Sequence, residues 1–132
     1  MANDMKIPLY EIPVPSTDLV TDAILCGNTI KYSYFKDGHE LRSGISFKAM
    51  KAARHRSESA CTAWHVEGAY DTLVKIDGSS WLKEIMTDSE DYQIRRDEKW
   101  NLNHFLIYLD GNCFEVISED WHVIPEEQGT WT

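Results

Sequence analysis

The densest run of chemistry-bearing residues is Arg54-His55-Arg56-Ser57-Glu58, followed by Cys61, His65, Glu67, Tyr70 and Asp71. In an extended strand, residues two apart share a face. Arg54 and Arg56 would therefore project together, and two guanidinium forks side by side can grip a carboxylate or a phosphate. If the next strand pairs with this one, His55, Glu58, His65, Glu67, Tyr70 and Asp71 converge near one end of a sheet and line a polar ligand pocket. The plainer alternative is a solvated strand end, with the arginines paired to Glu58, Glu67 or Asp71 in weak surface ion pairs.

Sharper chemistry finds little support in the spacing. His65-Val66-Glu67 matches the H-x-E half of a zinc deaminase signature, but the P-C-x-x-C segment that completes such a site does not follow. Cys61 and His65 would share a strand face, yet they would lie about 13 Å apart along it. That separation is too long for one zinc ion, which needs ligands at about 2.0–2.3 Å. No nucleophile elbow surrounds Cys61. Cys26, Cys61 and Cys113 therefore read as buried, unreactive thiols, and no metal site is expected. The glycines are scattered as turn residues, without GxGxxG or GxxxxGK spacing, so no phosphate loop and no cofactor is expected. Among the five tryptophans, Trp64 and Trp81 suit the core. Trp100 and Trp131 lie among polar residues and suit a surface contact.

The elements that would position these residues are mostly strands. Thr21–Phe35 is strand material broken by Gly27-Asn28, and Lys36-Asp37-Gly38-His39 is a turn. Ile45–Arg56 alternates with period two, which predicts one strand. Cys61–Glu67 and Thr72–Ile76 read as two short strands. Ser79–Met86 reads as a helix capped by a serine, with Trp81, Leu82, Ile85 and Met86 in one apolar stripe. Residues 87–101 read as a charged loop or a short exposed helix. His104–Ile117 is a hairpin about Asp110-Gly111-Asn112. Phe105–Leu109, apolar on both faces, reads as a central strand covered on both sides. A last strand, Trp121–Ile124, stops at Pro125. The predicted fold is α+β: a mostly antiparallel sheet or open barrel of about seven strands, with one or two helices packed on it. Residues 1–17, with Pro8, Pro13 and Pro15, form an extended arm. Residues 18–125 form the domain, and residues 126–132 form a loose tail.

The chain has 132 residues, 42% hydrophobic and 27% charged. That is enough for a core without disulfides or a structural metal. Its net charge of −9 repels phosphate backbones and anionic headgroups. Nucleic-acid and membrane-surface partners are therefore disfavoured, and a basic protein or a cationic ligand is easier to accommodate. No signal peptide and no membrane-spanning run is visible. The cysteine count is odd, with no CxxC pair, and the expected location is the cytoplasm.

Two stretches, Cys61–Asp71 and His104–Asp110 with Cys113–Val116, resemble a group of short bacterial proteins of unknown function. The resemblance covers roughly residues 40–125. It implies a bacterial cytoplasmic domain and brings no activity, cofactor or site residue. The expected function is a non-catalytic binding or protein-interaction module, self-associating or immunity-like. The alternative is a small-molecule sensor or enzyme with a pocket along residues 54–71.

Overall fold

Two Asp-Gly dipeptides set two of the tight corners of the chain. Asp37 and Gly38 have φ of 53° and 78°, and Asp110 and Gly111 have φ of 35° and 83°. A two-residue loop with both central residues at positive φ matches the twist of the flanking strands. Each therefore closes a hairpin: β3 (Thr29–Lys36) with β4 (His39–Lys48), and β7 (Asn103–Leu109) with β8 (Asn112–Ser118). The computed structural model describes residues 5–129 and residue 131. The remaining strands and α-helices are β1 (Met5–Glu11), β2 (Leu19–Cys26), β5 (Ala52–Ser57), α1 (Ala63–Val66), β6 (Thr72–Asp77), α2 (Ser80–Asp88), α3 (Glu90–Arg95) and β9 (Asp120–Gln128).

The strands form two antiparallel sheets, ordered β1-β6-β7-β8-β5 and β2-β3-β4-β9. The fold is thus mostly antiparallel, as the alternation predicted. Among the described residues it has nine strands in two facing sheets rather than about seven in one sheet or an open barrel. Between the sheets, Ile30, Tyr32, Tyr34, Ile45 and Phe47 meet Leu73, Phe105, Ile107, Leu109 and Phe114. β7 lies at the centre of the five-stranded sheet. Its other face, through Leu106 and Tyr108, packs with Val74, Ile76 and Cys113 under Trp64 and Val66. Both faces are dry, which is why Phe105–Leu109 reads as a continuous apolar run.

Several boundaries differ from the sequence reading, each for a local reason. Ile45–Arg56 is two strands in different sheets. The chain turns at Ala49, which has a φ of 52°, and continues as β5. The alternation survives the crossing because both pieces have one face toward the core. Cys61–Glu67 is a helical turn, not a strand. Thr62 N–H donates to His65 Nδ1 at 2.9 Å, tying the start of the turn. Residues 5–11 of the arm form an edge strand, β1, with a register shift between Pro8 and Tyr10. An edge is where a proline lacking a donor fits. Residues 1–4 lie outside the described residues. The last strand does not stop at Pro125. Arg42 pairs with Glu127 and Gly44 with Ile124, so Pro125 and Glu126 bulge opposite Ser43 on another edge strand. Trp131 does not stand free either. Its Nε1 donates to the carbonyls of Tyr32 and Ser43 at 3.0 and 2.9 Å. Residues 130 and 132 of the expected tail lie outside the described residues. No helix among the described residues is long and apolar enough to cross a membrane.

Candidate functional site

Alternation along β5 divides the candidate residues between two faces. Arg54 and Arg56 stand opposite Glu115 and Cys113, on the face away from the inter-sheet core. His55 stands opposite Phe114, which belongs to that core. Arg54 is already engaged. Its Nε and Nη2 donate to Glu115 Oε2 and Oε1 at 2.8 and 3.0 Å, and its guanidinium lies 3.9 Å from the centre of the Trp81 ring. Arg56 Nη1 donates to the Ala60 carbonyl at 3.2 Å. In place of a twin-arginine clamp there is one internal ion pair and one local tie. Arg54's partner is Glu115, not Glu58, Glu67 or Asp71.

Glu115 is 1% exposed. Burial pushes its carboxyl up, but the hydrogen bonds from His104 and Arg54, with their charges, outweigh burial and bring its pKa down to about 2. His104 Nε2 lies 2.8 Å from Glu115 Oε1, and its Nδ1 lies 2.7 Å from Ser79 Oγ. A carboxylate only accepts, so Nε2 carries the proton. Serine, imidazole and carboxylate thus stand in a row, as in a nucleophile relay. Their surroundings give them a different task. Ser79 and His104 are 4% and 2% exposed. Ser79 Oγ accepts from Leu82 N–H at 3.0 Å as the cap of α2, which ties the hydroxyl to the helix start. The row connects α2 to the sheet. It was missed because its members are far apart in sequence. The available signal was Glu115, the one charged residue within Cys113–Ile117.

The remaining candidates separate further. His65 is buried, with Nδ1 beside Thr62 Oγ1 at 3.0 Å. Desolvation, then the charge of Arg56, lowers its pKa. Glu58 and Glu67 are exposed. The Glu67 and Trp64 carbonyls accept from Lys6, whose ammonium lies 4.5 Å from the centre of the Trp64 ring. Tyr70 is half exposed and packs on Tyr108, with ring centres 5.7 Å apart. Asp71 is buried, and its Oδ2 accepts from Ser16 N–H at 3.1 Å. The residues of the alternative pocket along 54–71 are divided: Arg54 and His55 line one concavity and Tyr70 and Asp71 another, with helix α1 and the left-handed turn at Asp71, φ of 55°, between them. Among the described residues, no three of His, Cys, Asp and Glu gather to hold a metal ion. Cys113 is buried, and burial, then the charge of Glu115, pushes its thiol up to about 12. Cys61 is half-buried against the same cluster, and Cys26 is exposed rather than buried.

A groove of about 510 Å³ lies between β2 and β5. Ala23, Leu25, Ala53 and Phe114 line its apolar part, and Asp22 and His55 its polar part. His55 Nε2 is 2.8 Å from Asn112 Oδ1, so no carboxylate orients it. β2 and β5 are the terminal strands of their respective sheets. Among the described residues, each therefore carries a strand edge with no ladder partner along this seam. Comparison with known proteins finds no family model, curated sequence or solved structure that matches this chain.

Proposed function

We propose that the protein is a non-catalytic interaction module that captures an extended segment of a partner polypeptide in the seam between β2 and β5. The carrying observation is the groove itself, flanked by two terminal strands. An unpaired edge offers a row of N–H and C=O groups to an added strand. Alternate side chains of that strand would enter the apolar part of the groove, which is how strand addition combines affinity with specificity. The reactive side chains favour this reading over an enzyme. Arg54, Glu115, His104 and Ser79 satisfy one another internally, and His55 faces an amide. The net charge of −9 suits a partner that is basic outside the captured segment.

A random-peptide selection against the intact protein, counter-selected with Ala53→Lys, tests this. Ala53 is exposed in the groove wall, so lysine there fills the groove without disturbing the core. Selected peptides should show alternating apolar residues and should move the amide resonances of β2 and β5. Binders that ignore Ala53→Lys, or shifts confined to another face, would overturn the proposal.

A further inference from the structure

Asp71 is one of two described residues with a buried side-chain polar atom that lacks a hydrogen-bond partner; the other is the Tyr32 hydroxyl. The Asp71 side chain is held firmly. Its residue is 9% exposed. Its backbone N–H donates to Tyr108 at 2.8 Å, and its carbonyl accepts from Ile12 at 3.0 Å. Oδ2 accepts from Ser16 N–H, while Oδ1 has no donor. A carboxylate oxygen removed from water and left without a donor is unfavourable. The arrangement becomes favourable when a cationic donor arrives.

A pocket of about 310 Å³ lies at this position, lined by Glu11, Pro13, Val14, Pro15, Tyr70 and Asp71, among others. Its volume is at the lower end for ligand sites, suited to a head group. Its chemistry is coherent: a half-exposed tyrosine ring, a second carboxylate at Glu11, and apolar walls from two prolines. An aromatic face beside carboxylates is the usual environment for an organic cation. The surrounding charge is also of the right sign, at −9 for the chain, which attracts cations.

We infer that this pocket binds the head group of a hydrogen-bonding organic cation, a guanidinium or a primary ammonium, with Asp71 as its charge partner and Tyr70 as its aromatic wall. Asp71 Oδ1 is shielded from solvent, so a cation seated in the pocket that Asp71 and Glu11 line is held by the charge of the two carboxylates. The head group can come from a free small amine or guanidine, or from an arginine or lysine side chain of a polypeptide. The site is separate from the seam, and its test does not depend on strand capture.

Full-length protein labelled with nitrogen-15 is titrated with butylguanidinium chloride, and in parallel with the neutral isostere butylurea. The charged probe should shift the amides of Ser16, Tyr70 and Asp71 saturably, and butylurea should not. Asn tolerates the left-handed backbone as aspartate does, and its oxygen can still accept from Ser16 N–H. Asp71→Asn should therefore keep the fold while weakening the probe by about tenfold or more. Tyr70→Ala should weaken it by roughly threefold, the scale of an exposed cation–π contact. Glu11 is exposed on the edge strand, so Glu11→Gln will fold even if Asp71→Asn does not, and it too should reduce affinity. A capped Gly-Arg-Gly peptide distinguishes the sources. Tighter binding than the free probe assigns the site to a polypeptide side chain, and weaker binding assigns it to a small free cation. Equal binding of butylurea, shifts elsewhere on the protein, or affinity unchanged in Tyr70→Ala and Glu11→Gln would overturn the inference.

Discussion

Replacing Glu115 by glutamine perturbs the most buried carboxylate among the described residues. Glu115 is 1% exposed and takes both prongs of Arg54 and the Nε2–H of His104. Its pKa falls from 4.5 to about 2 on folding, which corresponds to about 3 kcal/mol of stability. The sign follows from the direction of the shift. A carboxyl whose folded pKa is depressed contributes fully above its unfolded value, here above pH 4.5, and loses that contribution as pH falls toward 2. Glutamine keeps the shape and still accepts from His104, but its amide nitrogen meets one Arg54 donor and the ionic character is lost. Glu115→Gln should therefore be less stable than the parent by about 3 kcal/mol at pH 7, a substantial part of the roughly 5–15 kcal/mol typical of a domain. That gap should shrink from pH 4.5 downward and nearly close by about pH 2. Urea denaturation followed by tryptophan fluorescence at pH 7, 4.5, 3 and 2.5 measures it. A gap that stays constant from pH 7 to 2.5 would refute the electrostatic assignment of Glu115. So would a variant within about 0.5 kcal/mol of the parent at neutral pH.

Ser79→Ala removes the cap of α2 and the partner of His104 Nδ1 together. It should cost about 1–2 kcal/mol and speed hydrogen exchange in α2 ahead of the sheets; unchanged exchange in α2 would count against Ser79 tying the helix to the sheet. Gly44→Ala places a Cβ 2.3 Å from the Ile30 carbonyl oxygen and 3.4 Å from Lys31 Cα. Backbone in the middle of a sheet cannot retreat, so thermal denaturation should show a loss of about 3 kcal/mol, and a melting point within about 2 °C of the parent would refute the clash.

Much of the strand content was legible because it depends on period and on turns. Thr29–Lys36 and His39–Lys48 flank Asp37-Gly38, and Asn103–Leu109 and Asn112–Ser118 flank Asp110-Gly111. Each dipeptide is a local signal that does not depend on the rest of the chain. Helix α2 was legible for the same reason, through its cap at Ser79 and its stripe at Trp81, Leu82, Ile85 and Met86. Cys61–Glu67 was not, because apolar residues at short spacing fit a strand as well as a helical turn. There, a hydrogen bond from Thr62 to His65 Nδ1 decided between them.

The candidate site shows where a one-dimensional reading stops. By itself, the sequence determined that Arg54 and Arg56 share a face, that His55 takes the other, and that Phe105–Leu109 is central, because period two is a property of the strand alone. Only the tertiary structure decided which carboxylate Arg54 meets. Glu115 lies far along the chain and reaches Arg54 through the register of β5 against β8. The division into two sheets was likewise decided in three dimensions. It depends on the left-handed turn at Ala49, in a segment whose alternation reads the same whether the chain runs straight or crosses over. That crossing makes β5 the end of its sheet and, with β2, creates the seam. Strand identity is carried by neighbouring residues; partners, edges and pockets are carried by residues that only folding brings together.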